Sequence, residues 1–161
     1  MRLRGFAVTL LAGLLASPTW AARPDTGSAF SQLAGTWSGS GQIRLEGGRT
    51  EALRCRASYT DHNDGASLGI SLRCASASNK VDLHAQLKAA GTRVSGAWEE
   101  RQFNAAGSAA GTASGNQIIL AISGGGLEGS MHVTTNGSRQ SVSIETQNVA
   151  LKGIQIALAR D

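Results

Sequence analysis

At 161 residues and a formal net charge of +4, the chain has the length of a single domain. So small a net charge does not imply non-specific nucleic-acid binding, which needs a concentrated basic face. Two cysteines, Cys55 and Cys74, without a matched pair of histidines exclude a zinc site.

The chain opens with the three parts of a secretory signal peptide. Arg2 and Arg4 form a positive start, and Phe6 to Ala16 is apolar but too short to span a bilayer. Pro18 interrupts the apolar stretch, and Thr19-Trp20-Ala21 places small residues where a signal peptidase reads. This predicts a leader over 1–21, a linker with a short turn or helix over 22–34, and a β domain over 35–161. Cleavage would remove Arg2 and Arg4, leaving a net charge of +2. The expected location is the periplasm or the exterior, with no transmembrane helix in the mature chain. In that compartment an even cysteine count points to a disulfide.

Beyond the leader, apolar and polar residues alternate with period two. Ten strands are predicted, at about 35–45, 49–59, 68–75, 80–88, 93–102, 107–114, 117–123, 127–134, 139–146 and 153–160. Asp64-Gly65, Ala90-Gly91, Gly124-Gly125 and Asn136-Gly137 supply the clearest turns, because Gly and Asn accept positive φ. A hairpin centred on Asp64-Gly65 would set Cys55 opposite Cys74, Ala57 opposite Leu72 and Tyr59 opposite Ile70. A turn near Gly47-Gly48 would pair Trp37 with Tyr59, Gly41 with Cys55 and Ile43 with Leu53. The Ala90-Gly91 turn would pair Leu87 with Val94 and Leu83 with Trp98. The later turns would pair Ile122 with Leu127, Leu120 with Gly129, Met131 with Val142 and Val133 with Gln140.

One inward set satisfies all of these hairpins. It includes Trp37, Gly39, Gly41, Tyr59, Ala85, Gly96, Trp98, Gly111, Ala113, Gly129 and Met131, among aliphatic residues. The fold class is therefore all-β: an antiparallel up-and-down meander closing into a barrel of eight to ten strands, with one cross-strand disulfide. A two-sheet sandwich of the same strands is the alternative. Closure is favoured because it removes exposed strand edges.

No catalytic, metal or cofactor motif is present, and the chain reads as non-enzymatic. His62, His84 and His132 are scattered, and Glu99 and Glu100 are adjacent, so they face opposite sides of a strand. Two candidate surfaces remain. Inside, Trp37, Tyr59 and Trp98, with Glu100 near a barrel mouth, could hold a small apolar or amphipathic ligand. Outside, Arg44, Arg54, Arg56 and Arg73 share one face. Because Arg56 lies opposite Arg73, an anionic envelope component could neutralise them.

Leu33-Ala34-Gly35-Thr36-Trp37 resembles the Gly-x-Trp start of lipocalin-type barrels and the Thr-Gly-Thr-Trp start of avidins. The lipocalin resemblance implies a structural role for Arg160, packing across Trp37. Ser38 to Gly41 replace the polar biotin contacts of avidins. The segments Trp37 to Gly41, Arg54 to Arg56, Leu72 to Ala75, Ser95 to Trp98 and Arg139 to Ser143 resemble an uncharacterised family of small exported proteins from Gram-negative bacteria. That resemblance implies a periplasmic or secreted β protein and carries no activity.

Overall fold

The computed structural model describes residues 30–161. The leader expected over 1–21 and most of the linker lie outside the described residues. The ten strands are β1 (Gly35–Leu45), β2 (Thr50–His62), β3 (Ser67–Ala75), β4 (Lys80–Ala90), β5 (Arg93–Glu100), β6 (Ala105–Ser114), β7 (Gln117–Gly124), β8 (Leu127–Asn136), β9 (Arg139–Gln147) and β10 (Leu151–Arg160). Each strand pairs antiparallel with its chain neighbours, and β10 closes onto β1. The meander is thus a closed barrel and not a sandwich. An even strand count leaves β10 antiparallel to β1, so the edges meet and vanish.

Burial follows the alternation. On β2, Leu53, Cys55, Ala57 and Tyr59 are buried, while Ala52, Arg54, Arg56 and Ser58 are exposed. The β2–β3 register is as expected, with Cys55 opposite Cys74 and Tyr59 opposite Ile70. The two sulfurs are bonded and the Cα atoms lie 4.1 Å apart, close to the spacing of a non-hydrogen-bonded antiparallel pair.

Four other hairpins differ from expectation by two residues. Trp37 faces Ala57, Gly41 faces Leu53 and Ile43 faces Glu51. Leu87 faces Gly96, and Leu83 faces Glu100. Leu120 faces Met131, and Ile122 faces Gly129. Met131 faces Ile144, and Val133 faces Val142. The turns explain the differences. Gly91, Gly125 and Gly137 take the first corner position, with φ of 63°, 60° and 60°. The primed hairpin turns require a positive φ there, so each turn starts one residue later than Gly in second place would give. Between β1 and β2 the turn is Glu46–Gly48, one residue earlier than expected, closed by the Leu45 N–H donating to the Arg49 carbonyl at 2.8 Å. A slip of two keeps every side chain on its face. The inward set is therefore unchanged.

Some inward glycines serve close strand approach. A Cβ at Gly41 would lie 1.9 Å from the Gln155 carbonyl oxygen of β10, and one at Gly111 would lie 2.0 Å from that of Ile119. Glycine at such points lets a strand bend around a barrel corner.

The two ends differ. Before β1 the chain turns at Phe30, where the Leu33 N–H donates to the Phe30 carbonyl at 2.9 Å. Phe30 and Leu33 are fully buried and cap the end that holds the start of β1 and the finish of β10. The other end carries the β1–β2, β3–β4, β5–β6, β7–β8 and β9–β10 turns.

Candidate functional site

The end opposite the cap opens into a cavity of about 360 Å³. Its wall is aliphatic, built from Val81, Leu83, Leu87, Leu120, Ile122, Met131, Ile144 and Ile154, with Trp98 as the aromatic member. Ala85, Ala105 and Ala109 also line it. Their short side chains, placed inward by strand alternation, leave the space that larger residues would fill. Phe103, 57% exposed, stands at the mouth in the β5–β6 turn.

The polar groups on this wall are engaged within the chain. The Glu100 carboxylate accepts the Asp82 N–H at 2.6 Å and the Phe103 N–H at 2.7 Å. It thereby fastens the Phe103 turn to β4. The Thr146 hydroxyl donates to the Leu151 carbonyl. Asn79 donates to Glu51 at 3.3 Å and to the Ser78 hydroxyl at 2.9 Å. The Trp98 indole N–H donates to the Ser108 carbonyl at 3.1 Å.

The structure divides the inner candidate set. Trp98 and Glu100 line the cavity, while Trp37 and Tyr59 belong to the packed, capped end. Trp37 is fully buried, and its indole N–H donates to the Leu33 carbonyl at 2.7 Å. The Arg160 guanidinium lies 4.2 Å from the Trp37 ring centroid. It donates to the carbonyls of Ala34 and, at 2.6 Å, Gln32. Tyr59 donates to Gln140 at 2.7 Å, and burial pushes its phenol above the ordinary range despite that bond. Alternation marked all three aromatics as inward but could not assign them to ends. Phe103 and Asn79 lie in turns, where alternation carries no information. An aromatic in the polar Gln102–Asn104 turn was the one available signal.

On the outside, Arg56 does face Arg73, but carboxylates of the same chain stand beside three of the four arginines. Arg44 pairs with Glu145, Arg73 with Asp82 at 3.3 Å, and Arg56 with Asp161 at 3.9 Å. Arg54 is exposed on the same face. Partial desolvation raises the Asp82 pKa, yet hydrogen bonds from His84 and Arg73 outweigh it and hold the carboxyl below its ordinary value. Such exposed pairs contribute little stability. They do reduce the uncompensated charge of the face.

One carboxylate near the mouth gives a pH prediction. Hydrogen bonds from Ser76 first, then Ser78, lower Glu51 from 4.5 to about 2. The folded-state pKa is depressed, so the tie to the 76–79 turn is intact above about pH 4.5 and is lost as pH falls through about 2. The Ser78 amide, which also donates to Glu51, should titrate by NMR with a midpoint near 2. The transition should disappear in Glu51→Gln. A midpoint at the ordinary value would show that the turn is not held this way.

In fold the chain is similar to Rv2717c from M. tuberculosis, with a TM-score of 0.64 and 16% identity, covering 83% of this chain and 95% of that one. It is also similar to the S-type phycobiliprotein lyase CPES from Guillardia theta, with a TM-score of 0.57 and 12% identity, covering 82% and 90%. At these identities the likeness is one of fold. No protein-family model and no curated protein matches the sequence.

Proposed function

We propose that the chain is an exported, non-enzymatic, lipocalin-like barrel that takes one small apolar or amphipathic ligand into the cavity beside Trp98 and Glu100. The observation that carries this is a cavity of about 360 Å³ with an aliphatic wall, open at one barrel end and capped at the other. That volume lies within the range of small-molecule sites and equals the space of about twelve waters. Replacing water there with hydrocarbon is favourable. The Cys55–Cys74 bond and the signal-like start of the sequence support export to the periplasm or beyond. Likeness to a phycobiliprotein lyase supports the reading at the level of fold, since fold alone does not fix function.

The outer arginine face against an anionic envelope component is the second reading. It has less support, because three of its four arginines have carboxylate neighbours.

Filling the cavity tests the first reading. Ala109 is inward, buried and on the wall, and Ala109→Phe should project a ring into the space and narrow it while the barrel stays folded. Native mass spectrometry of the exported protein should show a co-purifying small molecule in wild type and none in Ala109→Phe. Equal ligand content in both, with the variant folded, would place the ligand elsewhere. An empty wild-type barrel that also fails to respond to added alkanols would end the reading.

A further inference from the structure

We infer that the cavity selects single-chain ligands with an uncharged head and discriminates against carboxylates; this rests on the cavity reading and narrows its ligand class. Three observations converge. First, among the described residues no Lys, Arg or His lines the cavity, while Glu100 does. A fatty carboxylate would thus meet a like charge and no counter-ion. Asn79, also on the wall, is hydrogen-bonded to a second carboxylate, Glu51, while the basic residues of that end, Arg49, Lys80, Arg101 and Lys152, lie outside the lining.

Second, the donors on the wall are already in use. The indole of Trp98, the hydroxyl of Thr146 and the amide of Asn79 each donate within the chain. Among the described residues no buried side-chain nitrogen or oxygen lacks a partner. A head group that must accept a desolvated hydrogen bond finds no free donor inside. Recognition is therefore by shape and hydrophobic contact, with the head left at the mouth near Phe103. Third, the volume suits a chain of about twelve heavy atoms, taking roughly the space of one water for each. Branched or fused-ring ligands of larger size would need the wall to move.

The probes are 1-alkanols and alkanoates of matched length, titrated at pH 7 against the oxidised protein and read by tryptophan emission, with Trp98 in the wall. Alkanol affinity should rise about fourfold per methylene and level off near twelve heavy atoms. Decanoate should bind about tenfold more weakly than decanol. Glu100→Gln keeps one acceptor for the Asp82 N–H and should narrow that gap by raising decanoate affinity relative to decanol. If decanoate matches decanol in wild type, the head-group inference fails while the cavity reading stands. If neither chain binds wild type, or Ala109→Phe binds both unchanged, the cavity reading fails and takes this inference with it. The wild-type ratio decides the matter even if Glu100→Gln loosens the Phe103 turn.

Discussion

Trp37→Ala should lower the unfolding free energy by about 4 kcal/mol, as large aromatic-to-alanine changes in a core do. The ring is fully buried at the capped end, so truncation leaves a void in the core there. It also removes the donor to the Leu33 carbonyl and the ring under the Arg160 guanidinium. Arg160 ties β10 to the segment before β1 through Gln32 and Ala34, so the cap loosens as a unit. For a domain of this size the midpoint should fall by roughly 12–20 °C in thermal unfolding. Trp37→Phe retains most of the volume but not the N–H, and should cost about 1–2 kcal/mol. Arg160→Ala should be comparable, and a double-mutant cycle between the positions should show coupling beyond about 0.5 kcal/mol. If Trp37→Ala melts within a few degrees of wild type, the cap does not hold the barrel end. If Trp37→Ala fails to fold, the Trp37→Phe and Arg160→Ala cycle gives the answer.

Breaking the disulfide is the second large effect. Cys55 and Cys74 are 19 residues apart, and cross-linking a loop of that length stabilises by about 3 kcal/mol in the chain-entropy account. The bond joins positions already paired across β2 and β3. Reduction should therefore leave the folded barrel nearly unchanged and act mainly by freeing the unfolded chain. Cys55→Ala with Cys74→Ala, or dithiothreitol on wild type, should lower the unfolding midpoint by about 10 °C or more. The far-ultraviolet circular dichroism of the native state should be preserved. Identical midpoints for oxidised and reduced protein would contradict the account.

The places where sequence reasoning succeeded and failed have a common cause. Alternation tells which face a residue occupies, because side chains repeat with period two along a strand. Cys55, Ala57 and Tyr59 could thus be placed inward, and the Asp64-Gly65 turn fixed their partners. Alternation is blind to a slip of two, which keeps every residue on its face. The partners of Trp37, Leu87, Leu120 and Met131 therefore depended on the turns alone. At Trp37 the Glu46–Gly48 turn decided the register; elsewhere the corner taken by Gly91, Gly125 or Gly137 did, and a Gly preceded by Gly or Asn fits either corner.

By itself, the sequence determined the strand count within its stated range, the inward face and the sulfur pair, while closure into a barrel over a sandwich was decided by the β1–β10 pairing. The first three follow from local periodicity and turn chemistry. Only the tertiary structure decided that Trp37 and Tyr59 pack beneath a cap while Trp98 and Glu100 face a cavity. It alone showed that Glu145 and Asp161 stand beside Arg44 and Arg56. Those pairings join residues from strands far apart in the chain, and they depend on how the closed barrel brings its strands and ends together, which period-two patterning does not encode.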